Sequence, residues 1–151
     1  MSSRRQFFVA SAAGVVTLVA RRYAAAQAPL STITVYKDPG CKCCARWIPH
    51  LIANGFTVAT RDVDNIDGIK RTMNVPPALQ SCHTAVIGRY VIEGHVPADV
   101  IRKFIAAKSA DLGLAVPGMP SGSPGMEDGH TDRYSVVAFQ RDGKSRVYAT
   151  R

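Results

Sequence analysis

Thr32-Ile33-Thr34-Val35-Tyr36-Lys37-Asp38-Pro39-Gly40-Cys41-Lys42-Cys43-Cys44 is the stretch on which the reading of this chain turns. Thr32 to Tyr36 is a short β-branched run and predicts a strand. Lys37-Asp38-Pro39-Gly40 is turn material that delivers three cysteines to the start of a helix. Beyond the cysteines, Cys44, Trp47, Ile48, Leu51 and Ile52 recur at the spacing of one apolar helical face. Asn54-Gly55 stops that helix.

Working outward toward the C-terminus, Phe56 to Val63 predicts a second strand. Asp64 is the expected cap of a short helix burying Ile66, Ile69 and Met73. Val75-Pro76-Pro77 breaks the helical pattern. Thr84 to Ile87 and Tyr90 to Glu93 read as two strands joined by a tight turn at Gly88-Arg89. Pro97 opens a third helix with Val100, Ile101, Phe104 and Ile105 inward. Gly113 to Gly129, rich in Gly, Pro, Ser and Met without periodicity, is expected to be a long loop, and loops of that length are often functional. Tyr134 to Phe139 and Ser145 to Thr150 flank Asp142-Gly143, a hairpin signal.

Toward the N-terminus the pattern changes kind. Ser3-Arg4-Arg5-Gln6-Phe7-Phe8 is a twin-arginine export signature, followed by an apolar run from Val9 to Ala20 and the small residues Ala24-Ala25-Ala26. That run of 12 residues is well short of the roughly 20 needed to cross a bilayer. Residues 1–26 are therefore expected to be a cleaved signal peptide, 27–31 a short linker, and 32–151 one domain of the mature, exported protein. Cleavage after Ala28 would leave Pro29 at the new N-terminus, so Ala26 is the expected site. No stable membrane span is expected to remain.

The charge follows from the same division. The whole chain carries 19 basic and 11 acidic residues, net +8, but Arg4, Arg5, Arg21 and Arg22 fall in the leader with no acid beside them. The remainder holds 15 basic against 11 acidic residues, net +4. With no lysine run or arginine–aromatic stripe, nucleic acid is not an expected partner. About 125 residues suffice for one core, and a periplasmic destination permits disulfides.

The order β-α-β-α-β-β-α, with Cys41-x-x-Cys44 between the first strand and first helix, is that of an α/β, thioredoxin-like domain. Pro49, inside the first helix, matches the helix-kinking proline of thioredoxins. Thiols at a helix N-terminus face unpaired N–H groups and the positive end of the macrodipole, which favour thiolate. Thiolate is both a redox nucleophile and a soft-metal ligand. Cys43 adds a third thiol between the redox positions. Cys82-His83, just before the third strand, is placed to bring a fourth thiol and an imidazole to the same spot. Met119 and Met126, in the long loop, sit in Gly-Met-Pro and Pro-Gly-Met contexts that suit exposed presentation. Thiolate, thioether and imidazole together suit Cu(I). Zinc is the competitor, but structural zinc sites usually show two C-x₂₋₄-C knuckles rather than one crowded cluster.

Plainer readings stand beside these. Cys41 and Cys44 can form a structural disulfide with Cys43 and Cys82 buried, and His83 can be a hydrogen-bonded structural histidine. His95 reads as structural or solvent-facing, and His130 as solvated. Met119 and Met126 can be gap-fillers. Met73 and Trp47 read as core.

Cys41-Lys42-Cys43-Cys44, Val75-Pro76-Pro77, Ser81-Cys82-His83-Thr84, Val91-Ile92-Glu93-Gly94-His95-Val96-Pro97, and the run from Gly113-Leu114-Ala115-Val116-Pro117-Gly118-Met119-Pro120 through Gly125-Met126-Glu127 resemble the CopG-type copper-resistance proteins. These are periplasmic, thioredoxin-like metal-binding proteins long filed as a domain of unknown function. The resemblance covers about residues 32 to 150. It implies copper binding by Cys41, Cys43, Cys44 and Cys82, with possible Cu(I)/Cu(II) interconversion; His83 and the loop methionines match its pattern. The expected function is copper resistance, with Cu(I) held in a thiolate cluster that can be multinuclear, and a copper chaperone or efflux component as conceivable partners. The alternative is a thiol–disulfide oxidoreductase in which Cys41 exchanges and Cys44 resolves.

Overall fold

β1 (Ile33–Lys37) alternates buried and half-buried side chains, as a β-branched strand between layers should. The computed structural model describes residues 32–151. The twin-arginine leader, its cleavage after Ala26 and the linker 27–31 lie outside the described residues. Asp38 shapes the turn after β1: its carboxylate accepts from the Gly40 amide at 2.7 Å, and its carbonyl from the Cys41 amide at 3.1 Å. α1 (Lys42–Ala53) starts there with Cys41 as its N-cap, and Pro49 lies inside it. Cys44, Trp47 and Leu51 form its buried stripe with Ile48 half-buried beside them, whereas Ile52, predicted on the same face, is 57% exposed.

The chain continues through β2 (Val58–Asp62), α2 (Ile66–Thr72) and a 3₁₀ turn (Pro77–Leu79). Then come β3 (His83–Ile87), β4 (Tyr90–Gly94) and α3 (Ala98–Ala106), followed by β5 (Gly113–Val116), β6 (Ser135–Phe139) and β7 (Ser145–Thr150). The seven strands of the described residues join one sheet in the order β2-β1-β3-β4-β5-β6-β7. β1 and β2 pair in parallel across α1, and β4 and β5 in parallel across α3; the remaining pairs are antiparallel.

One face of the sheet packs under α1 and α3. Trp47 and Leu51 from α1 and Val100, Ile101 and Phe104 from α3 meet Ile33, Val35, Ala85, Ile92, Leu114 and Val136. Burying each such side chain contributes about 1.5–3 kcal/mol. On the other face, Val75, Val91, Leu112, Ala115 and Phe139 form a second cluster beside Met73 and Leu79.

Three further expectations need correction. Gly113 to Gly129 is not all loop, because Gly113–Val116 is β5, central in the sheet and buried along its whole length. A strand buried on both faces shows no polar alternation, so its four apolar residues carried no period-two signal. The cap of α2 is Asn65 rather than Asp64: its side-chain oxygen accepts from the Gly68 amide at 2.8 Å, three residues on, as capping geometry requires. The buried residue of α2 is Lys70, while Ile66, Ile69 and Met73 are only half-buried. Lys70 is drawn inward by an acid that its own helix does not contain.

Candidate metal centre

Register brings the four cysteines together. β1 pairs antiparallel with β3 so that Lys37 faces His83, which puts Cys82 beside the turn where α1 begins. The Sγ atoms of Cys41, Cys43, Cys44 and Cys82 all lie within 4.8 Å of one another. Cys41 and Cys44 form a disulfide, while Cys43 and Cys82 are free. Cys43 Sγ lies 3.5 Å from Cys41 Sγ and 3.7 Å from Cys82 Sγ. Cys44 is fully buried, whereas the other three are half-buried.

Two imidazoles extend the cluster inward. His83 and His95 are both fully buried, and with Cys82 they form a second set of donor atoms within 4.8 Å of one another. His83 Nδ1 stands 3.2 Å from Cys82 Sγ, and its Nε2 is buried without a hydrogen-bond partner of normal geometry. Its ring packs 4.5 Å from that of Trp47, whose Nε1–H donates to the Val96 carbonyl at 3.0 Å. His95 Nε2 lies 3.1 Å from the same sulfur, while His95 Nδ1 lies 2.7 Å from the Pro124 carbonyl. A carbonyl only accepts, so Nδ1 carries the proton and Nε2 presents its lone pair to Cys82.

Two glycines allow this convergence. Gly94 has φ of +70°, and a Cβ there would stand 2.7 Å from both Ser81 Oγ and the Val116 carbonyl. It turns β4 into His95 while passing close to the segment that carries Cys82. Gly125, at φ of +85°, lies so close to α1 that a Cβ would stand 2.8 Å from Trp47 N and 3.2 Å from the Cys43 carbonyl. The loop after β5 is thus seated on the first turns of the cysteine helix, bringing the Pro124 carbonyl to His95.

Burial governs the protonation of these groups. It pushes the His83 imidazole well below its ordinary value, and the neighbouring His95 and Lys70 further disfavour a positive charge there. It also lowers His95, against the pull of the Pro124 carbonyl and Glu127. Both rings are therefore neutral at pH 7, the form that ligates metal. Burial, and then the neighbouring Cys43, push the Cys82 thiol up to about 12. A metal ion that binds this sulfur takes the place of its proton.

Behind Cys82 sits a polar network. Strand alternation turns Thr84 and Glu93 to the sheet face opposite Ala85 and Ile92. There Lys70 Nζ meets Glu93 Oε1 at 2.6 Å, with side chains 2% and 0% exposed. Glu93 also accepts from the Ser81 amide at 2.6 Å and from Thr84 Oγ1 at 2.7 Å. The carboxylate thereby holds the backbone immediately before Cys82. Its own pKa is raised by burial, with Lys70 and these donors pulling the other way.

The structure thus gathers Cys41, Cys43, Cys44, Cys82 and His83. Met119 is exposed at a left-handed backbone position, and Met126 is half-buried next to Gly125. His95 is fully buried, which overturns the solvent-facing half of its reading; its contact with the Pro124 carbonyl fits the structural half, and its other nitrogen stands within reach of Cys82. Its signal was the Gly94-His95 pair closing a strand, which placed an imidazole at a backbone reversal. His130 is exposed and pairs with Asp132 at 3.0 Å.

Comparison with known proteins now adds a family. A model described as "Protein of unknown function, DUF411" matches residues 79–126, the segment from Cys82 through the loop. A solved structure of the copper resistance protein CopG, form 2, is 46% identical over 82% of this chain and 99% of its own, with a TM-score of 0.77. The chain belongs to the CopG copper-resistance family. Form 1 of CopG is similar at 45% identity over 81% of this chain and 98% of its own, with a TM-score of 0.76. A search of the curated proteins finds no match. The CopG-family likeness extends over both halves of the cysteine cluster, and the donor set fits a soft metal.

Proposed function

We propose that this CopG-family chain is a periplasmic copper-resistance protein that takes up Cu(I) through Cys41, Cys43, Cys44 and Cys82. The observation that carries this reading is the convergence of four sulfurs within 4.8 Å, continuous through Cys82 with two buried imidazoles. Sulfur donors and neutral imidazole favour Cu(I) over harder ions. His83 and His95 extend the ligand set inward, and the orphaned Nε2 of His83 is a buried donor atom that a metal would satisfy. Met119 and Met126 supply thioethers on the loop seated against α1. Copper is the cargo, and adjacent Cys43 and Cys44 suit bridging thiolates between more than one ion. The frame is a thioredoxin-like domain spanning 32–151, exported by a twin-arginine leader cleaved after Ala26. A copper chaperone or efflux component is the partner class that would exchange the ion. Among the described residues no helix is long and apolar enough to cross a membrane.

Anaerobic reconstitution of the fully reduced protein tests the reading. It predicts at least one Cu(I) per chain retained against a competing chelator, with loss in Cys43→Ser and Cys82→Ser. Retention of less than one ion per chain ends the proposal, and tighter retention of zinc redirects it.

The Cys41–Cys44 disulfide favours a second reading, a thiol–disulfide oxidoreductase. Cys41 is half-buried and reachable, while Cys44 is enclosed as a resolving thiol would be. Metal-free protein would then reduce or isomerise a model disulfide, with Cys43→Ser as active as wild type.

A further inference from the structure

The Cys41–Cys44 disulfide accounts for two of the four thiols and leaves Cys43 and Cys82 facing each other. Their sulfurs are 3.7 Å apart, in van der Waals contact, across 39 residues of sequence. Both are half-buried, so a small oxidant reaches them from solvent. Cys43 lies in the first turn of α1, and Cys82 in the segment leading into β3. Both segments are held from behind: Gly125 abuts the Cys43 carbonyl, and Glu93 binds the Ser81 amide. The two thiols are therefore presented to one another by backbones that the fold fixes. A disulfide bond of about 2 Å would close the 3.7 Å gap between the two sulfurs.

We propose that Cys43 and Cys82 are a second redox dithiol, which closes to a disulfide and empties the metal centre of thiolate. The oxidant is a small disulfide such as oxidised glutathione. One cysteine thiolate attacks it, an S–S bond to the protein forms, and the first small thiol leaves with a proton. The other cysteine then attacks the protein-bound sulfur of this mixed disulfide, forming Cys43–Cys82 and expelling the second small thiol. Two electrons pass from the cysteine sulfurs to the small disulfide, and its two thiols carry away the two protons. With Cys41–Cys44 also closed, none of the four cysteines remains a thiolate donor. The disulfide stands independently of the copper reading, whereas its effect on metal holding rests on it.

The experiment equilibrates metal-free, fully reduced protein in glutathione buffers of increasing oxidation, alkylates remaining thiols, and counts them by mass. Wild type is expected to pass from four alkylated thiols through two to none. Proteolysis at Lys42 should yield a cross-link from the peptide that holds Cys43 and Cys44 to the Cys82 peptide, and its persistence in Cys44→Ser assigns it to Cys43. Cys41→Ser/Cys44→Ser keeps only this pair and should lose both thiols together, while Cys43→Ser cannot close this disulfide and should leave Cys82 as a free thiol or a glutathione adduct. Wild type that retains two thiols in fully oxidised buffer overturns the proposal. So does Cys82 cross-linked to Cys41, or a persistent glutathione adduct. If the double variant does not fold, the wild-type count and cross-link decide alone. Cu(I) retention should fall by at least about tenfold from reduced to doubly oxidised protein, equivalent to about 1.4 kcal/mol or more. Unchanged retention overturns the effect on metal. Reduced protein that holds no Cu(I) yet still forms the disulfide overturns the copper reading and leaves the dithiol standing.

Discussion

His95 shows how one hydrogen bond decides what a residue can do. The Pro124 carbonyl accepts from Nδ1 at 2.7 Å, and that single contact turns the Nε2 lone pair toward Cys82. Outer contacts of this kind set both ring orientation and ligand basicity, and removing them typically costs 10–100-fold in metal affinity. His95→Gln removes the imidazole together with its outer contact, so Cu(I) binding is expected to weaken by at least the roughly tenfold that loss of an outer contact alone costs. The Cys41–Cys44 disulfide should still form, and the thermal unfolding transition should remain cooperative. Competition titration against a chromogenic Cu(I) chelator measures the loss. Wild-type affinity in a folded His95→Gln protein would remove His95 from the centre. Sequence alone pointed to the cysteines and His83, because thiols in a crowded cluster are chemically conspicuous. The histidine after Gly94 is a far fainter mark, and its place beside Cys82 shows only once its burial and its two neighbours are known.

Between elements, the junction of α1 and α3 depends on a neutral histidine. His50, in the last turn of α1, accepts from the Ala98 amide with Nε2 at 3.1 Å, satisfying an unpaired donor at the first residue of α3. Burial lowers the pKa of His50 below 6.5, although Glu127 and Asp99 pull it upward. A histidine whose folded-state value is depressed binds its proton more readily in the unfolded chain. Its contribution is therefore fully present above pH 6.5 and is lost as pH falls from there through the lower folded-state value. Chemical denaturation at neutral and at mildly acidic pH should show lower stability on the acid side. His83 and His95 add to the same trend, because burial lowers both. His50→Gln isolates the junction, and its stability should fall less steeply with acid than that of wild type. Equal slopes in the two proteins would show that His50 is not the titrating group. Helix α1 itself was legible from its apolar repeat. Strand β5 was not, because its strand character comes from β4 and β6 on either side.

For the molecule as a whole, the Lys70–Glu93 pair ties one face of the sheet to the cysteine centre on the other. An ion pair this deep is costly to break from one side, since the remaining charge is left buried and unmatched. Lys70→Met is expected to destabilise the fold by about 3–5 kcal/mol, while Lys70→Met/Glu93→Leu should recover part of that loss. Urea unfolding of the two variants and wild type measures both. A loss below about 1 kcal/mol in Lys70→Met would show that the pair is dispensable to stability. The double variant also gives up the acceptor for the Ser81 amide, so its copper affinity should stay below wild type even where stability returns.

The sequence by itself determined the strand, turn and helix around the cysteines, the apolar stripe of α1 and the C-terminal hairpin. These follow from local rules of backbone preference and side-chain periodicity, which act within a few residues. The sequence also carried the family resemblance and four of the sulfur donors. Tertiary structure alone decided that Cys82 faces Cys43, that His95 joins it, that Lys70 turns inward to Glu93 and that β5 completes the sheet. Each of those depends on residues tens of positions apart brought into contact by strand register and close approach at Gly94 and Gly125, and no local periodicity records such pairings.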